Sequence, residues 1–483
     1  MAETTTNKHP DYGLFVADWE QMQETYAGER TIKALGTKYL PATPGQELDG
    51  MANSNQTGYK NYVAYKMRAR FPGVVKEAVQ GFLGLMHMRP AEIKLPVKLE
   101  PLREKATVQG ESLQSLLRRI NEQQLVTGRL GLLADVQNNA VASALPYIAM
   151  YNAKTIVNWD DGGRTDLVLQ NLNLVILDET GPERGDGFSW ETKNQYRVCV
   201  LGGVDVNEPV GQGVYRVGIF NDVESFNETG LVTPSIAGNT LNEIPFVFIN
   251  ALDLVPEPAE PPLLDLSNLA LTIYRGEADY RQNLFMQGQD TFVIIGSVSD
   301  DEIRLGAGAY VKVQQGGDAK YAGVNADGLS EQRNALENDK KEASEIGGRL
   351  LNNSTKDAES GDALRTRVGS KTSSLIQIAL AGALGLEQIL KIMAKWVGAD
   401  PNEVSVVANT KFADEIMDGR SLFELMQAKA LGAPLSLKSI HSVQKKKNLT
   451  DMTLEEELVA INSEEDLVGP EGTMAGGDEE VVV

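Results

Sequence analysis

One helix-forming segment of this chain, residues 327–351, has its apolar side chains along a single narrow line. They recur every seven residues, at Leu329, Leu336, Ala343 and Leu350, and nearly all other positions are polar. A helix in a globular core usually shows a wider apolar stripe, whereas a seven-residue repeat is typical of packing against one or two neighbouring helices. The pattern predicts a helix that contacts others along one edge and leaves much of its surface uncovered.

A second helical pattern precedes this segment and predicts a partner for it. The apolar side chains of residues 264–289 recur at helical spacing, at Leu266, Leu269, Ile273, Tyr280 and Leu284. Between the two patterns, residues 291–296 and 309–315 are strand-like and flanked by glycine turns. We expect a helical hairpin that projects from the body with a small β insert at its end. Neighbouring copies in an oligomer would cover such a hairpin; the alternative is a solvent-facing arm of a monomer.

The rest of the chain alternates between helical and strand-like regions, which predicts an α+β fold. Residues 1–127 show helical periodicity, whereas residues 128–263 contain short strand-like runs between glycine and aspartate turns, typical of an antiparallel sheet. A polar loop at 352–362 leads to a helical pattern at 363–398, about three times the mean helix length. Three glycines inside this pattern are expected to kink it: Gly369, Gly382 and Gly385.

The C-terminal part divides into a helical region at 399–447 and an acidic tail at 448–483. The tail has eleven acidic residues and no Lys or Arg, so it carries half of the chain's net charge of −22. We expect a solvated, partly disordered tail, or alternatively a contact arm for a basic partner. The run Lys445-Lys446-Lys447 is the one basic cluster in the sequence, which argues against stable binding of duplex DNA.

The cysteine and histidine content excludes several kinds of site. Cys199 is the only cysteine, so no intrachain disulfide or thiolate metal cluster can form, which fits a reducing compartment. The three histidines are far apart in sequence, which argues against a zinc site. We expect no secretory signal in residues 1–10, which lack an apolar core, and no membrane span in residues 375–397, which charged side chains interrupt.

No arrangement of residues in the sequence predicts catalysis. Residues 369–372 (GSKT) resemble a phosphate-binding loop, but they lack its Gly-Lys pair and lie in a helical pattern. Cys199 lies in a predicted strand, where a buried and unreactive thiol is expected. The acidic pairs Asp160-Asp161 and Asp300-Asp301 lie in predicted turns. We therefore predict no catalytic residue, no metal site and no cofactor, and we expect that the chain is not an enzyme.

A series of short motifs runs in order along residues 12–400. The first are Tyr39-Leu40-Pro41, Tyr62-x-x-Tyr65-x-x-Arg68-Ala69, Gly81-x-x-Gly84-x-Met86-His87-Met88-Arg89-Pro90 and Gly110-Glu111-Ser112-Leu113. The next are Thr127-Gly128-Arg129-x-Gly131-x-Leu133-x-Asp135, Pro146-Tyr147 and Asn152-Ala153-x-x-Ile156-x-Asn158-Trp159. The last are Gln195-Tyr196-Arg197-Val198, Ile244-Pro245-Phe246-Val247, Pro261-Pro262-Leu263-x-Asp265-Leu266, Tyr274-Arg275-x-x-Ala278-Asp279-Tyr280 and Gly348-Arg349-Leu350-Leu351. In this order they resemble the portal proteins of tailed bacteriophages, in particular the subgroup long catalogued only as a domain of unknown function.

The resemblance implies an architecture in which copies, usually twelve, form a ring around a channel. Each copy of a portal protein has a wing, a stem of two helices, a clip between them and a crown. The wing would comprise residues 1–263 and the long helix at 363–398. The remaining parts would be the stem helices at 264–289 and 327–351, the clip at 290–326, a tunnel loop at 352–362, and the crown-like helical region at 399–447.

The resemblance also implies a function and a set of partners. The ring would form a channel at one capsid vertex through which double-stranded DNA is packaged and ejected. Terminase would dock on it during packaging, and a head-tail adaptor protein would take that place later. The major capsid or scaffold protein would surround it. The protein would lie in the virion after assembly in the host cytoplasm, without contact with a membrane.

Two sets of residues would then serve the channel and the ring. The tunnel loop and its flank would face DNA without sequence specificity, at Arg349, Asn352, Asn353 and Lys356. The oligomer and stem seam would be formed by Leu329, Leu336, Ala343 and Leu350. Because the chain is acidic, the channel wall would repel phosphates, which suits a conduit through which DNA must slide.

Two other functions remain open on the sequence. The chain could be a monomeric acidic scaffold or assembly protein, which would never form rings. It could also be a carboxylate-dependent metal hydrolase, which would require a cluster of Asp and Glu side chains around a divalent cation.

Overall fold

A computed structural model shows an α+β fold in which helices pack on antiparallel sheets, and this confirms the predicted fold class. The chain forms two compact units, residues 1–410 and 411–483. The residues that the structure describes are 8–136, 145–160, 172–202, 213–221, 228–288, 291–296, 315–322, 328–348, 361–410, 426–429, 431, 433–434, 436–446, 450 and 452–467.

Six helices form the N-terminal part of the first unit. They are α1 (Pro10–Ala27), α2 (Glu29–Leu35), α3 (Pro44–Leu48), α4 (Thr57–Arg68), α5 (Val74–Met86) and α6 (Leu113–Val126). The predicted N-cap of α6 is confirmed, since the Ser112 side chain accepts a hydrogen bond from the backbone N–H of Ser115. Trp19 and Met22 of α1 are fully buried, as the helical spacing predicts. These helices form the base on which the rest of the unit packs.

Of the first ten described strands, nine follow the predicted change of pattern at residue 128 and one precedes it, within the region expected to be helical. Strand β1 (Glu92–Lys94) precedes β2 (Arg129–Asp135), β3 (Tyr147–Asn152), β4 (Ile156–Asp160), β5 (Leu174–Asp178), β6 (Gly181–Arg184), β7 (Trp190–Lys193), β8 (Tyr196–Leu201), β9 (Tyr215–Phe220) and β10 (Phe246–Asn250). One antiparallel sheet has the order β10-β2-β3, and a second has the order β4-β5-β8-β9. Every residue of β2 is buried, because helices and its neighbours cover it.

A helical hairpin follows the sheets. It consists of α7 (Leu264–Gln287), the antiparallel strand pair β11 (Thr291–Ile295) and β12 (Asp318–Ala322), and α8 (Leu329–Gly348). The two helices begin and end within a few residues of the predicted bounds. The first predicted strand, 291–296, is confirmed. The second was expected at 309–315, most of which lies outside the described residues, and the strand that pairs with β11 starts at Asp318.

The long helix α9 (Gly361–Trp396) is assigned as one uninterrupted helix. Two of the three glycines that we expected to kink it have another role. A Cβ atom on Gly382 would lie 2.5 Å from Nδ2 of Asn121, and one on Gly385 would lie 2.4 Å from the Ile249 side chain. The glycines therefore let α9 approach α6 and β10 more closely than any side chain would permit.

The second part of α9 is long and strongly apolar. By length and composition alone, Ser373–Trp396 could cross a membrane, which the sequence analysis did not expect. In the structure this segment packs against β2, β10 and α6, and Leu386, Ile389 and Trp396 are fully buried. A core helix of this kind meets the same criterion of length and apolarity, so its packing accounts for its composition.

The segment after α9 corrects the prediction that residues 399–447 are helical throughout. Strand β13 (Ser405–Val407) pairs antiparallel with β1, so residues up to 410 belong to the first unit. The backbone N–H of Val406 donates to Glu387 Oε2 of α9 at 2.9 Å, which fixes the strand against that helix. The alternating Ser-Val-Val sequence suits a strand, but three residues are too few for a reliable pattern.

The second unit contains the described helices α10 (Leu437–Lys446) and α11 (Leu454–Leu467). The second of these lies within the predicted acidic tail at 448–483, and its described side chains are exposed or half-buried. It begins with a capping box, in which Glu456 Oε2 accepts from the backbone N–H of Thr453 at 2.7 Å and Thr453 Oγ1 accepts from that of Glu456 at 3.3 Å. This T-x-x-E signal is visible in the sequence.

Candidate functional site

Helices α7 and α8 run antiparallel and contact each other along their lengths. Gly276 lies against Leu336, and Asn283 Nδ2 donates to Gln332 Oε1 at 3.1 Å, so residue numbers rise along α7 as they fall along α8. A Cβ atom on Gly276 would lie 2.9 Å from Cδ2 of Leu336. The glycine thus makes room for the leucine, and α7 and α8 pack closely at this point.

The predicted seam lies inside this hairpin. Leu336 and Ala343 are buried, Leu329 is half-buried, and Leu350 lies outside the described residues. The neighbours that bury them are α7 and α5 of the same chain. The seam therefore joins helices within one chain, and any contact that α8 makes with another copy must use its other faces. Those faces are exposed along most of α8.

A buried carboxylate holds the two helices together electrostatically. The Glu277 side chain on α7 accepts hydrogen bonds at 2.5 Å from Lys340 of α8 and from Arg281 one turn further along α7. Burial acts to raise the pKa of the Glu277 carboxyl, but the bonds from Lys340 and Arg281 outweigh burial and hold the pKa below its ordinary value. The sequence analysis did not identify this clamp, although a glutamate among the apolar positions of α7 is a signal for it.

Helix α4 braces the middle of α7. Tyr65 Oη donates to Asp279 Oδ1 at 2.6 Å, and Arg68 Nη1 donates to Gln282 Oε1 at 2.6 Å. The Arg68 guanidinium also lies 3.7 Å from the ring centre of Phe285, a cation–π contact. These bonds fix the direction in which the hairpin leaves the helical base.

The loop before α3 is tied to the same place. Arg275 Nε of α7 donates to the Tyr39 carbonyl at 3.0 Å, and Tyr62 Oη of α4 donates to the Leu40 carbonyl at 3.0 Å. Three motifs that are far apart in sequence, at residues 39–41, 62–69 and 274–280, therefore meet at the base of the hairpin. Their side chains supply the polar bonds that join α7 to the helices beneath it.

Among the described residues, the outer part of the hairpin is less completely buried than its base, although α4 contacts Asp279, Gln282 and Phe285. The buried residues of α7 all lie between Leu266 and Ala278. Beyond them, Leu284 and Met286 are each nearly half exposed, and Ile295 of β11 is half exposed. The last nine residues of α7 extend roughly 14 Å beyond that buried part. An apolar surface on a projecting element is typical of a site that another molecule covers.

The predicted tunnel loop follows directly from the base of the hairpin. A Cβ atom on Gly347, at the end of α8, would lie 3.4 Å from Cβ of Ala78 in α5, so α8 ends against the helical base. The predicted channel residues Arg349, Asn352, Asn353 and Lys356 lie outside the described residues. Their place in the channel stays a prediction.

The described residues contain no cluster of three or more His, Cys, Asp or Glu side chains that could hold a metal ion. The Cys199 thiol is buried, and burial raises its pKa to about 12, so it is unreactive at neutral pH. His87 Nε2 is hydrogen-bonded to Asn121 Oδ1 at 2.9 Å, and burial lowers its pKa. Asp160 ends β4, whereas Asp161, Asp300 and Asp301 lie outside the described residues.

Two further carboxylates are joined by an arginine. Arg197 Nη1 donates to Asp135 Oδ2 at 2.8 Å, and Arg197 Nε donates to Glu179 Oε1 at 2.7 Å. Tyr147 and Tyr151 donate to the same two carboxylates. Because the acids are paired with a cation and hydrogen-bonded, this cluster fits a structural role between β2, β3 and β8.

A buried cation lies at the first residue of β2, the central strand of the first sheet, and was not anticipated from sequence. The Arg129 guanidinium lies 4.1 Å from the Trp159 ring centre and 4.8 Å from that of Phe248, so two aromatic rings enclose it. His9 stacks on Trp159 at 4.0 Å. None of the three guanidinium nitrogens has a hydrogen-bond partner among the described residues. Burial lowers the pKa of Arg129 to about 9.

Comparisons with known proteins identify a matching family model and similar structures. Residues 262–397, from the start of α7 to the end of α9, match a family described as a domain of unknown function, DUF4055. Two similar solved chains come from the neck of a native GTA particle computed with C12 symmetry and the neck of an empty GTA particle computed with C6 symmetry. No curated protein matches the chain.

The likeness to the two neck chains is remote. The first is 13% identical over 78% of this chain and 91% of that chain, with a TM-score of 0.38. The second is 12% identical over 80% of this chain and 91% of that chain, with a TM-score of 0.38.

Proposed function

We propose that the protein is a portal protein that forms a ring-shaped channel at one capsid vertex, through which double-stranded DNA is packaged and ejected. The observation that carries the proposal is the helical hairpin α7–β11–β12–α8. It is fixed by motif residues of the helical base, yet Leu284 and Met286 of its outer part remain about half exposed among the described residues. A closed ring would bury such a surface between neighbouring copies.

The hairpin is the stem in this proposal, and the strand pair β11–β12 is part of the clip. The family model supports the assignment of a single structural module, because its match begins just before α7 and ends just after α9. The polar outer faces of α8 would then lie between copies or along the channel. The number of copies, about twelve, follows from the resemblance to portal proteins.

The loop after α8 faces the DNA in this proposal. Lys356 is its one basic residue, and Arg349 lies just before it. A few basic rings in an otherwise acidic channel would hold the duplex weakly, while the net charge of −22 per copy would keep DNA from adhering to the walls. The phosphate contacts would be independent of DNA sequence.

The partners follow from the same assignment. Terminase would dock at the clip and supply the ATP-driven work, and a head-tail adaptor would replace it. The wing would contact the major capsid or scaffold protein, in a virion assembled in the host cytoplasm. The chain itself would hydrolyse nothing and need no cofactor, a proposal supported by the paired state of Asp135 and Glu179 and by the buried thiol of Cys199.

Negative-stain electron microscopy of the purified full-length chain tests the proposal. We expect rings of about twelve copies with a central channel. Particles that remain the size of a single chain at every concentration would favour the acidic scaffold, and turnover of a substrate that depends on Mg²⁺ would favour the hydrolase.

A further inference from the structure

The second unit has an apolar groove at the start of its acidic helix α11. The groove has a volume of about 670 Å³, and its described lining consists of Met452, Glu455, Glu456, Val459 and Ala460. Met452 is 49% exposed and Val459 is 68% exposed, so two large apolar side chains face solvent here. A helix of 14 residues is only marginally stable in water without tertiary contacts. A molecule that covered this groove would therefore also stabilise α11.

The two glutamates of the α11 groove differ in their surroundings. Glu456 Oε2 accepts from the backbone N–H of Thr453 in the capping box, and Lys445 of the same chain acts on its charge. Glu455 is exposed, and its carboxylate forms no ion pair with any residue that the structure describes. The groove thus combines exposed apolar side chains with a carboxylate that a cation on another molecule could pair with.

The chain that follows α11 has the wrong charge for this groove. Residues 468–483 contain four acidic residues and no Lys or Arg. In the groove they would place further negative charge beside Glu455 and Glu456, which is unfavourable. A suitable occupant must instead carry an apolar side chain next to a cation.

Helix α10 presents such a pair of side chains in its first turn. Leu437 is 57% exposed. Lys438, next to it, is exposed and forms no ion pair with any residue in the described part of the chain. Ile440 and His441 are buried, so α10 packs against its own chain within the following turn. The first turn is therefore held in place while its apolar and basic side chains remain in solvent.

Within one copy, this turn of α10 does not cover the α11 groove. Leu437 and Val459 each keep more than half of their surface exposed, and a contact between them would bury much of both. The cation that acts on the groove from the same chain is Lys445, near the other end of α10. Lys438 lies seven residues earlier, roughly 10 Å along the helix at about 1.5 Å per residue. The first turn of α10 is thus available to a groove on another copy.

We propose that the first turn of α10 in one copy docks in the α11 groove of the next copy. Leu437 then packs against Met452 and Val459. Lys438 lies beside the carboxylate of Glu455. Charge complementarity selects this occupant, because the groove is acidic and the exposed apolar turn of α10 is basic.

This contact has consequences for assembly. The basic partner that the sequence analysis left open for the acidic tail is then a second copy of the same chain. A contact between two different surfaces of identical chains is head-to-tail, and its repetition closes a ring when the rotation fits. The contact itself needs no channel, and only its closure into a ring rests on the proposed function.

Disulfide trapping tests the contact directly. S442C places a thiol on the exposed face of α10 one turn after Lys438, and A460C places one in the groove. The native thiol of Cys199 is buried and does not interfere. Mild oxidation of the full-length double variant S442C/A460C should give a ladder of linked chains on a denaturing gel. An equal mixture of the two single variants should give linked dimers and nothing larger.

The single variants are matched controls for chance collision. A head-to-tail contact does not bring identical thiols together, so S442C alone and A460C alone should remain single chains after oxidation. Equal yields of dimer in the single variants and in their mixture would overturn the proposal. A double variant that forms its disulfide only within one chain would also overturn it.

Charge reversal in the S442C/A460C background tests the ion pair. K438E and E455K should each slow cross-linking about threefold, because exposed ion pairs have effects of this size. K438E/E455K should restore the rate. K76E makes the same change of charge at an exposed position of α5 and should have no effect.

The apolar part of the contact has its own variant. V459S in the same background should slow cross-linking about tenfold, because the contact would bury less apolar surface. Val459 is exposed in the single chain, so this change leaves the fold intact. Cross-linking that proceeds at the original rate in K438E, E455K and V459S would contradict the proposed docking.

The outcomes also distinguish this inference from the proposed function. Rings seen by microscopy without a ladder would overturn the docking and leave the portal assignment standing. A ladder of open chains without rings would support the docking and contradict the portal assignment. Single chains without a ladder would contradict both.

Discussion

Individual residues at the base of the hairpin explain why the motifs contain the residue types they do. Tyr65 and Arg68 are needed as donors because Asp279 and Gln282 face them on α7. In the motif at 127–135, Gly128 has a positive φ of 72°, which favours glycine, and a Cβ on Gly131 would lie 2.1 Å from the Phe246 ring. Each of these positions needs either a hydrogen-bond donor or the absence of a side chain. Because such requirements are local, they appear in the sequence as short motifs.

Arg129 provides a test at this scale. Because its guanidinium forms no hydrogen bond with the described residues, the variant R129M should retain the packing and avoid the cost of burying the cation. We expect its free energy of unfolding to rise by about 1 kcal/mol at pH 7. The free energy of unfolding of R129A should instead fall by about 2–4 kcal/mol, because removal of the side chain leaves a cavity. Urea unfolding measures both, and an equal loss in both variants would contradict this reading.

The difference in stability between R129M and the wild-type protein should change with pH in a predictable direction. Burial lowers the pKa of Arg129 from its ordinary value to about 9 on folding, so the cost of its charge is complete below pH 9. As the pH rises above 9, the folded protein loses the proton while the unfolded chain keeps it, and the wild-type protein gains stability. We expect the advantage of R129M to shrink between pH 8 and pH 10. An advantage independent of pH would mean that the folded protein keeps the Arg129 proton throughout this range.

At the scale of elements, the Glu277 clamp should hold α8 against α7. The variant E277Q removes the charged acceptor of Lys340 and Arg281, and we expect α8 to lose about 1–3 kcal/mol of local stability. Hydrogen–deuterium exchange of α8 measures this loss. The control E342Q, at an exposed position of α8, should exchange as the wild type does.

The same clamp predicts a response to acid. The pKa of Glu277 is lowered on folding, so the stabilisation is complete above the ordinary carboxyl value of 4.5 and is lost as the pH falls below it. In E277Q the protection of α8, the ratio of intrinsic to observed exchange rates at each pH, should therefore change little below pH 4.5, in contrast to the wild type. The same acid response in both proteins would exclude Glu277 as its source.

The seam gives a sharper test of the hairpin. L336D places a carboxylate against Gly276 without a partner, which should open the hairpin and prevent ring formation. A335D adds the same charge at the neighbouring exposed position and should assemble normally. Negative-stain electron microscopy of both variants shows whether they form rings. Normal rings of L336D would argue that the hairpin is not the stem.

The bounds of the helical hairpin and of α9 were predictable because their patterns are long and periodic. The short elements were not: β13 has three residues, and β12 begins where the sequence offers no strong alternation. The role of Gly382 and Gly385 in close packing was not predicted, because a sequence cannot show which partner approaches a glycine. Glu277 and Arg129 were missed because a single charge in an apolar run shows neither its partner nor its burial.

At the scale of the whole molecule, the channel account makes a prediction for the loop after α8. K356A removes the one basic side chain from residues 352–362 and should leave ring assembly intact, because the proposed function assigns this loop to the channel and not to the stem. DNA retention in packaged particles should fall and become less sensitive to salt. Loss of assembly in K356A would show that this loop is not the DNA-facing element.

The central claim is that many copies of this chain close into one ring, and native mass spectrometry of the purified full-length protein tests it most directly. The account predicts a single dominant species at about twelve times the chain mass of 52.5 kDa, unchanged on dilution. A species of 52.5 kDa alone, at every concentration, would contradict it.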